Sequence, residues 1–138
     1  MKELTKIHLL MERMDLQYVA EQLVDNYDLT SKVKIKKGRY KDEKAFYHWH
    51  DNTIHIDPSQ SSKQFIISAL HEIFHAIQTV KAGGPSKMQR MAEEEWGKAA
   101  NGDYGKRGEK NPYKYVPFEI EAEKWAQTEY RKKWKGNF

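Results

Sequence analysis

The sequence predicts an α+β fold, and three features carry that prediction. Residues 63–81 are rich in apolar side chains at helical spacing, long enough for a buried central helix. Residues 45–57 alternate apolar and polar positions on either side of Asp51-Asn52, the pattern of a β-hairpin. The stretch 117–134 opens with Pro117 and sets small and acidic residues at helical intervals, which marks a final helix.

A chain of 138 residues is long enough for one domain with its own core, here taken as 1–138. With 38% hydrophobic and 32% charged residues and a mean hydropathy of −0.94, that core must be thin. Four Trp, eight Tyr and five Phe are too many aromatics for a disordered chain. Zero cysteines exclude disulfides, thiol catalysis and Cys-based zinc fingers together. No apolar run exceeds three residues, so neither a membrane span nor a signal peptide is expected, and the expected location is cytoplasmic. The net charge of +4 is a mild excess, which disfavours a dedicated nucleic-acid binder without excluding one. Arg131, Lys132, Lys133 and Lys135 read as cations complementing a helix C-terminus, with phosphate contact as the alternative.

In chain order, Leu4, Ile7, Met11, Met14, Tyr18 and Leu23 fall near one stripe, which predicts a first helix over 3–25. Val33 and Ile35 alternate with lysines and give a short strand before Gly38. Hairpin strands follow near 45–50 and 53–57, completing a small, mostly antiparallel sheet. A two-residue turn at Asp51-Asn52 would place position 49 opposite 54 and 48 opposite 55. Tyr47, Trp49, Ile54 and Ile56 then share an apolar face, and His48, His50, His55 and Asp57 the other. The strand holding Ile54–Asp57 is the expected sheet edge. The serines after Pro58 offer N-caps for the central helix, and Gly83-Gly84-Pro85 ends it. A polar helix over 87–99, capped by Ser86, a long loop over 101–116 and the final helix complete the chain.

The chemistry lies in the central helix, as His71-Glu72-Ile73-Phe74-His75. Positions i and i+4 of a helix lie on one face, so two imidazoles converge as a tetrahedral zinc site requires. Glu72 is one residue step round, able to reach a metal-bound water without ligating the metal. The competing interpretation is two histidines packed in a core, but polar side chains in so apolar a helix need partners. The six histidines are His8, His48, His50, His55, His71 and His75, so no histidine follows the motif. A third ligand is then most simply a carboxylate on the last helix. Glu119 and Glu123 share a face there, Glu121 points elsewhere, and Ala122 and Ala126 permit close helix approach. Glu93, Glu94 and Glu95 are rival ligands. His48, His50 and His55 could bind a second metal or an acidic partner, or simply form the hairpin's polar face.

HEIFHA followed by FEIEAEKWA resembles the zincin metallopeptidases of the glutamate-ligand type, including the small ImmA/IrrE-like proteins with HExxH and a later E-x-E-A-(D/N)-x-F-A. The resemblance strictly covers these two segments. It implies a minimal zincin-like domain: an N-terminal helix, a small sheet, a buried HExxH helix and a C-terminal ligand helix. It also implies Zn²⁺ held by His71, His75 and Glu119, with Glu72 as general base. Glu123 stands where the pattern often has Asp, orienting a ligand histidine. Trp125 replaces the usual Phe, and the 44-residue gap between His75 and Glu119 implies an inserted helix.

On this reading the chain is a zinc-dependent peptidase acting on a peptide or protein substrate, with transition-state donors drawn from Tyr104, Arg107, Tyr113 and Tyr115. The alternatives are a zinc-bound, catalytically inactive regulatory or binding module, and a mildly basic nucleic-acid protein with an accidental motif. Substrate identity and oligomeric state are not written in the sequence.

Overall fold

The computed structural model describes residues 23–25, 27, 33–38, 44–103 and 116–135. Of the helix expected over 3–25, only the last turn at 23–25 lies within them, and it is helical. The donor candidates Tyr104, Arg107, Tyr113 and Tyr115 lie outside the described residues, as does most of the 101–116 loop.

The architecture is α+β. Strands β1 (Lys34–Lys37), β2 (Ala45–His48) and β3 (Thr53–Ile56) precede helices α1 (Ser62–Ala82), α2 (Pro85–Ala100) and α3 (Pro117–Glu129). The last helix runs on into a π-helical turn, Tyr130–Trp134. The strand order is β1-β3-β2, with β3 parallel to β1 and antiparallel to β2. The sheet is therefore mixed rather than mostly antiparallel. The strand expected at the edge, β3, is its centre; β2 is the edge beside α1.

The hairpin register also differs from expectation. Tyr47 pairs with Ile54 and His48 with Thr53, so four residues, Trp49–Asn52, make the turn. A two-residue turn of the hairpin type would need positive φ at both Asp51 and Asn52. Asn52 alone among the described non-glycine residues has it, at 53°. Tyr47 Oη donates to the Asn52 side chain and Thr53 Oγ1 to the Asp51 carbonyl at 3.1 Å, tying the longer turn shut. The displacement is two residues, the strand period, so the inward set Tyr47, Ile54 and Ile56 is still buried on one face. Trp49 and His50 leave the strand for the turn. Asp57 is buried, and its Oδ1 accepts from Ser59 N and Oγ at 2.8 and 2.7 Å.

The central helix starts and stops where its sequence dictates. Ser61 is the N-cap and its side chain accepts from Gln64 N. At the other end Gly83 N–H bonds Val80 O and Gly84 N–H bonds Thr79 O, a Schellman motif with Gly83 at φ 100°. Pro85 takes the first position of α2, with Gly84 rather than Ser86 at the cap.

Phe65, Ile66, Leu70 and Ile73 of α1 are fully buried and pack with Ile54 and Ile56 of the sheet. Ala122 and Ala126 are fully buried too, consistent with α3 lying close against α1. Phe74 stacks on Trp125 at 5.0 Å between ring centroids, locking the two helices. The π-helical turn carries Trp134 inward, where its indole N–H reaches Tyr27 Oη at 3.2 Å. A second cluster, Met88, Ala92, Ala99, Val116 and Phe118, adjoins this core through Trp49. No described helix is long and apolar enough to cross a membrane.

Candidate metal centre

Helices α1 and α3 bring His71, His75 and Glu119 together, with ligand atoms all within 4.8 Å of one another. His71 Nε2 stands 3.2 Å from Glu119 Oε2, and His75 Nε2 stands 2.8 Å from Glu119 Oε1. Ligands of a tetrahedral zinc at roughly 2.0–2.1 Å lie about 3.3 Å apart, near the two His–Glu119 distances, while the widest separation of the cluster is larger.

The other ring nitrogens are each held by an acceptor. His71 Nδ1 donates to Glu123 Oε2 at 2.8 Å. His75 Nδ1 donates to Gln78 Oε1 at 2.7 Å, and Gln78 Nε2 donates to the Phe118 carbonyl at 3.0 Å. The backbone carbonyl fixes which end of the Gln78 amide faces the ring, and the amide oxygen fixes the proton on Nδ1. Both Nε2 atoms are thereby left as lone pairs facing a carboxylate, unless each takes a proton. Acceptors meeting acceptors need either two protons or one divalent cation between them. The donor set, two imidazoles and a carboxylate, is of a type and number that could hold a metal ion.

The electrostatics follow from the same contacts. Burial works against the His71 imidazolium, but the Glu119 and Glu123 carboxylates outweigh it and raise its pKa to about 10. The same opposition raises that of His75, with Glu119 as the main partner. Burial would raise the Glu119 carboxyl, but its bonds to both histidines carry it well below the usual range. For Glu123 the bond from His71 is the largest influence and lowers it.

Glu72 is buried, only 7% exposed, and lines the same cleft as the three ligand candidates. That cleft has a volume of about 420 Å³. One wall is the β2 segment Lys44–Tyr47 and another is Gln64 and Ser68 of α1. Trp49, Met88, Trp96 and Phe118 form a third.

The remaining candidates stand elsewhere. Glu121 is exposed and apart from the cluster, as its place on the helix predicts. Glu94 and Glu95 approach Lys98 at 3.9 and 3.8 Å, and Glu93 accepts from Gln89, so the α2 acids are not ligands of this centre. His48 bonds Asp51 at 3.1 Å and His55 stacks on Phe46 at 4.5 Å; no second metal-binding group occurs among the described residues. Lys133 lies 3.7 Å from Glu129 and 5.1 Å over the Tyr27 ring, consistent with a helix-terminal cation.

Two contributions were not read from the sequence. Gln78 was legible in principle as a polar residue three positions after His75 on an apolar helix. The stripe Met88, Ala92, Trp96 and Ala99 was legible as the inner face of α2, but nothing in it named the cleft as its neighbour. Set against protein families, curated proteins and solved structures, the chain has no match.

Proposed function

We propose that the protein is a zinc-dependent peptidase of the HExxH type, with His71, His75 and Glu119 as metal ligands. The observation that supports this best is the pair of imidazoles whose Nδ1 atoms are pinned and whose Nε2 atoms converge on Glu119, beside a buried Glu72 in the same cleft. His71, His75 and Glu119 would hold the zinc, which would supply an acidified water and polarise the scissile carbonyl. Glu72 accepts the proton of the water that adds to the scissile carbonyl carbon. It returns that proton to the amine nitrogen as the C–N bond breaks. Glu123 and Gln78 hold the two rings in the orientation and tautomer that this requires. The outer edge of β2 is unpaired among the described strands and runs along the cleft, which suits an extended peptide added as a further strand.

The test is Glu72→Gln, which keeps the size of the side chain and removes its basicity. Zinc content should be unchanged, and the cleavage rate of a mixed peptide library should fall by roughly 10²–10⁴-fold. Equal cleavage by wild type and variant overturns the peptidase assignment; cleavage by neither, with zinc bound in both, favours a zinc-bound binding module.

A further inference from the structure

We infer that Trp49, Trp96 and Phe118 form a specificity site that takes a large aromatic or aliphatic side chain of the substrate, an inference that rests on the proposed peptidase function. The three rings make a continuous series leading away from one metal ligand. Phe118 meets His75 edge-on at 6.0 Å, Trp96 lies 6.3 Å from Phe118, and Trp49 lies 5.7 Å from Trp96. Met88 closes the base of this wall, fully buried. The polar groups of Gln64 and Ser68 in the same lining are already bonded: Ser68 Oγ donates to Gln60 Oε1 at 2.8 Å, and Gln64 Nε2 reaches Ser68 Oγ at 3.4 Å. Phe46, Tyr47 and Ile67 add further apolar lining, but the three rings are the part that continues outward from a metal ligand.

Two further observations separate this wall from ordinary core. Trp49 and Trp96 are only half-buried although they line a concave site, so part of each ring face is uncovered. The Trp49 indole N–H is buried without an acceptor, unlike a fully satisfied core group. The wall also adjoins β2, an edge of the sheet among the described strands, since Trp49 follows directly on it. A peptide paired with β2 would carry alternate side chains toward the helices, and aromatic or large aliphatic ones match rings spaced for stacking.

The experiment compares three hydroxamates on the zinc-loaded protein by titration calorimetry: acetohydroxamate, phenylacetohydroxamate and 3-phenylpropanohydroxamate. Acetohydroxamate reports the metal centre alone, and the phenyl arms report the wall. At least one phenyl compound should bind roughly 10- to 100-fold tighter than acetohydroxamate. Trp96→Leu and Trp49→Phe should each reduce that ratio, the former by roughly 3- to 10-fold, while acetohydroxamate binding stays the same. The unchanged parent affinity also shows that each variant is folded and loaded. Equal affinities across the three compounds, or a ratio untouched by both variants, overturns the inference while leaving the metal centre standing. Failure of acetohydroxamate itself to bind a zinc-loaded protein counts against both.

Discussion

Gln78→Leu isolates a contact that the zinc hypothesis requires and that a merely packed helix pair does not. Gln78 is buried, and its amide bridges the His75 ring to the Phe118 carbonyl at 2.7 and 3.0 Å. Leucine fills similar space but can neither accept from Nδ1–H nor donate to the carbonyl. The ring is then free to shift its proton to Nε2, which removes the ligand lone pair. Loss of such a supporting contact costs ~10- to 100-fold in metal affinity, or about 1.4–2.7 kcal/mol. Competition for zinc against a chromophoric chelator measures this directly. Urea unfolding in the presence of EDTA should show a separate loss of about 0.5–1.5 kcal/mol, the worth of the one hydrogen bond removed, since the Phe118 carbonyl keeps its helical partner.

Gln78→Glu divides the two roles. A carboxylate still accepts from His75 Nδ1, so zinc affinity should stay within a few-fold of wild type. It cannot donate to Phe118 O and sets an oxygen against that carbonyl, so the stability loss in EDTA should be at least that of Gln78→Leu. A Gln78→Leu variant with unchanged zinc affinity would show that His75 is not oriented through this amide, and the tautomer argument for the whole centre would fall with it.

Two further outcomes are expected. Glu119→Ala should weaken zinc binding far more than Glu121→Ala, whose side chain is exposed and away from the cluster, with Glu123→Ala between them at ~10- to 100-fold; equal affinities in the 119 and 121 variants would place the ligand on the wrong face of α3. In metal-free protein the His71 pKa is raised from 6.5 to about 10, so its contribution to stability is fully present below about pH 6.5 and is lost as the pH climbs through about 10. Zinc must displace the His71 proton, so its affinity should rise with pH over the same window, and binding near neutral pH should release a proton from that imidazole. Calorimetry in buffers of differing ionisation enthalpy measures that release, and a proton-neutral binding event would refute the assignment.

What the sequence disclosed and what it withheld divide along a physical line. The pairs His71/His75 and Glu119/Glu123 each span i to i+4 on one helix, and helical periodicity alone places such residues side by side. Their meeting across α1 and α3 needed only that both helices turn an apolar face to a common core, which Ala122 and Ala126 on one side and Phe74 on the other make plain. The sheet was harder for an equally definite reason. Alternation has a period of two, so it identifies the buried set Tyr47, Ile54 and Ile56 but is blind to a register shift of two, which is the shift that turned a two-residue turn into Trp49–Asn52. Parallel pairing leaves no local mark either, so the placing of β1 alongside β3, which makes β2 an edge of the described sheet, was invisible from Val33 and Ile35. Both surprises bear on substrate rather than on metal. They move the exposed strand to β2 and swing Trp49 out of the sheet to meet Trp96 and Phe118. The metal centre thus follows from contacts within helices, whereas the shape of the cleft follows from pairings between distant segments, and specificity has to be sought in the second.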